Sequence, residues 1–226
     1  MNHFIAAALL IAAIPVHAAV LVEDFNDVPG LTGGGWMVVN NSTPPTATNW
    51  FQGTAGVFSA HAGAPQAYAA ANYLAGTSPG GISLWLISPM LTFAAGDTIA
   101  FYTRTESPVV FPDNLELRLS TNGASTDVGA TETSVGDFSL LLAVNPGFSS
   151  SAYPEDWAMY SAVVNFAGAG RFAFRYVVDD LSINGNYVGI DTLTVGAARQ
   201  TDIPEPSTLA LMGLGAAALV AARRKQ

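Results

Sequence analysis

Leu115, Leu117 and Leu119 alternate with Glu116, Arg118 and Ser120, and Phe172, Phe174 and Tyr176 alternate with Ala173, Arg175 and Val177. A period of two sorts the residues onto opposite faces of a strand, whereas a helix would scatter them around its circumference. Runs of strand character also cover 20–26, 36–40, 82–88, 98–104, 138–144, 157–164 and 187–195. Gly, Pro, Asn and Asp fill the gaps, as in Thr77-Ser78-Pro79-Gly80-Gly81, Asn122-Gly123, Asn145-Pro146-Gly147 and Asn184-Gly185-Asn186. Gly33-Gly34-Gly35 reads as a turn, Pro44-Pro45 as a loop, and the alanine-rich 66–74 is ambiguous. No long stretch between 19 and 203 carries a helical period. About ten strands at this spacing predict an all-β fold, a two-sheet jelly-roll sandwich. One domain over 19–198, followed by a linker at 199–203, accounts for the pattern.

The chain has no cysteine, so disulfides cannot hold the sandwich, and a sizeable core or bound ions must. Of eight basic residues, three lie at 223–225. The stretch 19–203 keeps Arg104, Arg118, Arg171, Arg175 and Arg199 against sixteen acids, near −11, with no lysine. That balance argues against nucleic acid, whose binding needs a basic footprint. It permits divalent cations and favours solubility.

Both ends are apolar. Residues 1–18 read as a secretory signal peptide: an apolar region over 4–14, Pro15 as its breaker, and Val16-His17-Ala18 with a small residue before the expected cleavage after Ala18. Its leading Met1-Asn2-His3 has no Lys or Arg, so the α-amino group must supply the positive charge. At the other end, uncharged residues 209–222 precede Arg223-Arg224-Lys225. As a helix at ~1.5 Å per residue this run spans roughly 21 Å, short of the ~30 Å hydrocarbon core unless 206–208 and snorkelling arginines extend it. The basic cluster would stay cytoplasmic and leave the preceding domain outside.

Pro204-Glu205-Pro206, the apolar segment and the basic stop together resemble the PEP-CTERM sorting signal of Gram-negative bacteria, at 204–226. The resemblance implies recognition by an exosortase, cleavage near the triplet and transient residence of 209–222 in the membrane. An ordinary C-terminal membrane anchor is the alternative. The middle of the chain is similar to the choice-of-anchor J domain, related to cleaved-adhesin and MAM-like jelly rolls. The blocks that carry the likeness, in order, include Gly35-Trp36-Met37-Val38-Val39-Asn40, Asn49-Trp50-Phe51-Gln52-Gly53, Ile82-Ser83-Leu84-Trp85-Leu86-Ile87-Ser88-Pro89, Pro112-Asp113-Asn114-Leu115-Glu116-Leu117 and Tyr187-Val188-Gly189-Ile190-Asp191. That family implies a surface or secreted binding module without catalytic activity.

Two acids stand in apolar registers: Glu23 with Leu21 and Phe25, and Asp191 with Leu193 and Val195. A carboxylate there is costly unless paired or bound to a cation. One reading brings Glu23 and Asp191 together on adjacent first and last strands, with Asp24 or Asp180 and loop carbonyls, around a structural Ca²⁺. Related adhesin-like jelly rolls add weight by resemblance. The alternatives are a buried salt bridge to Arg118 or Arg175, and a strand bulge that exposes Asp191.

Catalytic chemistry has few side chains to draw on. His61 is the one histidine outside the expected signal peptide, and no Gly-x-Ser-x-Gly, HExxH or phosphate-cradling loop occurs. A carboxylate pair of the glycosidase kind has no fixed spacing and stays open. Among aromatics, Trp85 and Trp157 read as core filling, whereas Trp50 and Phe51 beside the Pro44-Pro45 loop are candidates for stacking on sugar rings. The expected function is therefore a non-enzymatic binding or adhesion module of the cell surface or extracellular matrix, with exopolysaccharide or biofilm as a setting. A secreted carbohydrate-active enzyme and a passive structural surface protein are the alternatives.

Overall fold

The computed structural model describes residues 21–145 and 153–197. The expected signal peptide, the linker and the sorting tail with its segment 209–222 lie outside them. Among the described residues no helix is long and apolar enough to cross a membrane.

Among the described residues thirteen strands form, in chain order: β1 (Leu21–Glu23), β2 (Met37–Asn40), β3 (Thr43–Pro45), β4 (Phe51–Gln52), β5 (Ala69–Asn72), β6 (Gly76–Ile87), β7 (Leu91–Phe93), β8 (Asp97–Thr105), β9 (Asn114–Ser120), β10 (Leu140–Asn145), β11 (Ala158–Val164), β12 (Gly168–Val178) and β13 (Tyr187–Ala197). They make two antiparallel sheets. The first runs β11-β8-β13-β5-β4, with β1 also on β13; the second runs β10-β9-β12-β6-β2, with β3 on β6 and β7 on β12. The fold is the all-β sandwich that the alternation predicts.

The inward residues of both sheets form one core, including Phe101, Ile190 and Leu193 from the first and Leu84, Leu117, Phe172 and Phe174 from the second. Phe101 meets Phe174 edge to face at 4.8 Å, and Phe174 meets Phe172 at 5.8 Å. Each such side chain removed from water contributes roughly 1.5–3 kcal/mol, which a cysteine-free domain needs.

Several boundaries differ from the sequence expectation for physical reasons. The Gly/Pro stretch 77–81 is strand rather than gap, because β3 pairs with that half of β6, Thr43 opposite Gly81 and Pro45 opposite Gly76, across a bulge. The ambiguous 66–74 yields β5, whose small alanines let it lie against β13, and then a 3-10 turn over Tyr73–Ala75. The 33–35 turn is the end of another 3-10 turn, Pro29–Gly34, closed by Gly35 at φ 87°. β1 stops at Glu23 because Phe25 takes φ 48° and turns into the core.

The topology sets the ends of the sandwich. Leu21 faces Val195, so the described chain begins and ends at the same end. The β8–β9 and β12–β13 loops and the turn at Tyr73 lie at the other end. There Gly185 N donates to Pro112 O at 3.0 Å and Tyr73 N donates to Asn186 O at 3.0 Å. Buried Asp113 locks this end, accepting from Thr105 Oγ1 (2.8 Å), Tyr176 Oη (2.6 Å) and Asn186 N (2.8 Å). Burial pushes its carboxyl up, and these donors oppose the shift.

Candidate functional site

β13 carries Val188 and Ile190 into the core, and then Leu193 and Val195, which is one residue out of phase. The register with β8 breaks between Asp191 and Thr194, and Thr192 has φ 51°. This bulge takes Asp191 out of the Leu193–Val195 face, correcting the shared register expected from the sequence. It does not expose Asp191, which is fully buried and accepts from Ala62 N at 3.0 Å and Thr192 N at 2.6 Å. Positive φ at a β-branched residue costs about 1–3 kcal/mol and persists only where its surroundings enforce it.

Glu23 lies opposite Leu193, on the strand next to Asp191. Its Oε1 accepts from Phe25 N at 2.9 Å. Burial pushes both carboxyls up, and neither pairs with an arginine among the described residues: Arg118 and Arg175, the expected partners, both pair with Glu116. Asn26 lies close by, with its Oδ1 3.3 Å from where a side chain on Gly63 would begin. Glu23, Asn26 and Asp27 also line an open hollow of about 410 Å³, with Leu31, Trp36 and Pro89. Asp24 is exposed, and Asp180 Oδ1 accepts from Ser182 N (2.8 Å) in the β12–β13 turn at the far end. No group of three acidic or imidazole side chains poised around an ion occurs among the described residues. Glu23 shares the face of Leu193, whereas the bulge turns Asp191 off that face toward Ala62 N, and the two acids share no hydrogen-bond partner.

The loop from 53 to 68 folds over the outer face of the first sheet and fills it with rings. Phe58 stacks on Tyr68 at 4.9 Å and meets Tyr187 and Trp157 edge-on at 5.3 and 5.6 Å. Arg104 Cζ sits 4.4 Å above Phe58. Gly189 lies beneath, where a Cβ would come within 3.0 Å of the Phe58, Trp157 and Tyr68 rings. Trp157 Nε1 donates to Ser59 O at 2.8 Å, tying the loop to the approach to β11. The cluster is packing, with only its margin accessible. Trp50, a stacking candidate by sequence, is 6% exposed in the inter-sheet core, with Nε1 near Leu84 O at 3.4 Å. Its ring has no face to offer a sugar. Phe51 is half-buried against Tyr187 at 5.7 Å. His61 stacks on Tyr102 at 3.6 Å, and its Nδ1 is 2.9 Å from Thr192 Oγ1. Asp191 accepts from main-chain amides, and the His61 ring nitrogen is engaged by Thr192 rather than by that carboxylate.

The outer face of the second sheet is closed by the β9–β10 loop. Glu116 takes Arg118 Nε at 2.6 Å and Arg175 Nη1 at 3.0 Å. Arg175 also donates from Nε to Ser83 Oγ (2.9 Å) and from Nη2 to Glu132 O, and lies 5.0 Å over Trp85. Trp85 packs on Phe138 and Val128 of that loop. The alternating polar residues of β9 and β12 thus serve a covered layer, not solvent.

Apolar side chains are also accessible at the loop end. Tyr73, Leu74, Val110, Phe111 and Ile183 are each between 47% and 64% exposed. They sit on three segments joined by the hydrogen bonds around Pro112 and Asn186. Sequence reasoning missed them; the available signal was apolar residues placed inside Pro-, Asn- and Asp-rich loops.

The two antiparallel sheets define an all-β jelly-roll sandwich. It resembles the K3 cleaved adhesin domain of Lys-gingipain from Porphyromonas gingivalis, with TM-score 0.56 and 17% identity over 80% of this chain and 99% of that one. The K1 domain of the same protein gives TM-score 0.56 and 15% identity over 79% of this chain and 98% of that one. At these identities the likeness shows a shared fold. Residues 202–225 match the PEP-CTERM protein-sorting motif, and no curated protein matches the chain.

Proposed function

We propose that this chain is an exported surface protein, processed by an exosortase at Pro204-Glu205-Pro206, whose sandwich binds rather than reacts. The single observation that carries the reading is the sorting-motif match over 202–225. The topology supports it. The tail leaves from the end of β13, and the exposed Tyr73, Phe111, Val110 and Ile183 stand at the opposite end. At ~3.3 Å per residue, the eleven residues of β13 hold that end roughly 36 Å away. The exposed apolar side chains at that end are the candidates for an interaction surface. Exopolysaccharide is the ligand class that this setting and the exposed rings favour, since a tyrosine or phenylalanine stacks on sugar C–H faces.

A structural Ca²⁺ between Glu23 and Asp191 belongs to the same reading. Both carboxyls are pushed up by burial and neither pairs with an arginine among the described residues, so a hard cation would neutralise them. Mass spectrometry of surface-released material tests the processing step. The expected product lacks 209–226; replacement of Pro204, Glu205 and Pro206 by alanine leaves the tail attached. Surface material that keeps its tail overturns the proposal.

A further inference from the structure

Two threonines on the buried face of β8 reach carbonyls of β13 in the same way. Thr103 Oγ1 lies 2.7 Å from Gly189 O and 2.6 Å from Tyr153 Oη. Thr105 Oγ1 lies 2.8 Å from Tyr187 O and 2.8 Å from Asp113 Oδ2. Thr103, Thr105, Tyr153 and Asp113 are at most 1% exposed, so each proton must come from within its own set. A threonine hydroxyl has one proton to give, and a main-chain carbonyl has none. Thr103 therefore donates to Gly189 O, and the proton between Thr103 and Tyr153 belongs to the tyrosine. Thr105 stands in the same position with Asp113 in place of the tyrosine. Its proton goes to Tyr187 O, and it needs a donor on its other side. An ionised carboxylate only accepts. It would draw the Thr105 proton to itself and leave Tyr187 O against an oxygen lone pair, a buried acceptor unsatisfied.

We propose that Asp113 is held as the neutral acid, and that its proton, given from Oδ2 to Thr105 Oγ1, fixes the loop end of the sandwich. The bond to Thr105 is then the reverse of a carboxylate's, and the chain runs from Asp113 through Thr105 to Tyr187 O. The other oxygen, Oδ1, keeps Tyr176 Oη at 2.6 Å and Asn186 N at 2.8 Å. Around the carboxyl stand Thr105 of β8, Tyr176 of β12 and the start of β13, with Tyr153 beside Tyr176, and none of these carries a charge. Burial without a cation favours the neutral form, and it pushes this carboxyl up. Asp113 is thus a positioning residue. Through Asn186 it reaches Tyr73, and its neighbour Pro112 accepts from Gly185 N. One proton thereby sets Val110 and Phe111 of the β8–β9 loop against the turn that carries Ile183. Its loss puts an uncompensated charge at their junction, so this end loosens as pH rises, whatever ligand it takes.

Asp113→Asn in the full-length chain in detergent separates the two protonation states. Asparagine has the shape of the neutral acid, donates from Nδ2 to Thr105 and accepts at Oδ1 from Tyr176 and Asn186. A carboxyl held neutral favours the fold at low pH. That contribution is lost as pH rises from the ordinary value of 3.8 through the higher folded one. Variant and wild type are expected to be equally stable in acid. Across that window the variant is expected to gain on wild type, about tenfold in folding constant per pH unit. Protection of the Asn186 and Tyr73 amides against hydrogen exchange is expected to fall there in wild type and to stay level in the variant. A variant that loses on wild type as pH rises overturns the proposal, because an ionised, stabilised carboxylate gives that sign; so does a gap that ignores pH. Should the variant fold poorly, wild type decides. Its Asp113 carboxyl carbon, followed by NMR, is expected to titrate above the same carbon in the urea-unfolded chain, and titration at or below the unfolded value overturns the proposal.

Discussion

Replacing Glu116 by glutamine tests whether charge closes the outer face of the second sheet. The substitution keeps shape and removes one negative charge between two guanidinium groups. The side chains of Arg175, Glu116 and Arg118 are 6%, 12% and 13% exposed, so water cannot replace the lost partner. Breaking a buried pair by removing one member costs about 3–5 kcal/mol. The residual exposure and the surviving bonds of Arg175 to Ser83 and Glu132 place this case near the low end, about 3 kcal/mol. For a domain of this size that corresponds to roughly 6–12 °C in melting temperature. The assay is urea unfolding followed by fluorescence, with an unchanged slope and a lower midpoint. A pH arm fixes the cause. Burial alone would raise the Glu116 carboxyl, but Arg118 and Arg175 outweigh it and hold it below its ordinary value of 4.5. Its stabilisation is therefore present above that value and lost as pH falls through the lower folded one, so the gap between wild type and variant narrows in acid. Glu116, Arg118 and Arg175 replaced together by apolar residues should cost less than Glu116→Gln alone. A single variant within about 0.5 kcal/mol of wild type at pH 7, the scatter of ordinary surface changes, refutes the reasoning.

Trp50→Ala should lower stability by about 3–5 kcal/mol, whereas Tyr73→Ala with Phe111→Ala should leave unfolding unchanged and weaken retention on an exopolysaccharide column; the reverse pattern would reinstate Trp50 as the ligand contact. EDTA should lower the melting temperature of the purified protein, and Asp191→Asn should remove that response; an unchanged melt disposes of the ion. With the ion stripped, Glu23 and Asp191 have raised carboxyl pKa values, so their contribution favours the fold at low pH and is lost as pH rises through those values. A calorimetric pH series in EDTA reads that sign directly.

The sheet sandwich was legible in the chain because alternation is local: Leu115, Leu117 and Leu119 face inward wherever β9 lies in a sheet. The sorting tail was legible for the same reason, since order and polarity along 204–226 are themselves the signal. Tertiary structure decided what depends on pairing. Strand parity put Asp191 beside Leu193; the bulge at Thr192 reversed it, and bulges are set by the mismatch between two strands rather than by either sequence. Trp50 looked accessible because loops flank it, yet the sheets close over it. Alternation puts Glu116 and Arg175 on the face away from the core, yet the β9–β10 loop covers them. Local periodicity specifies which residues share a face, but only the packing of remote segments specifies what that face meets.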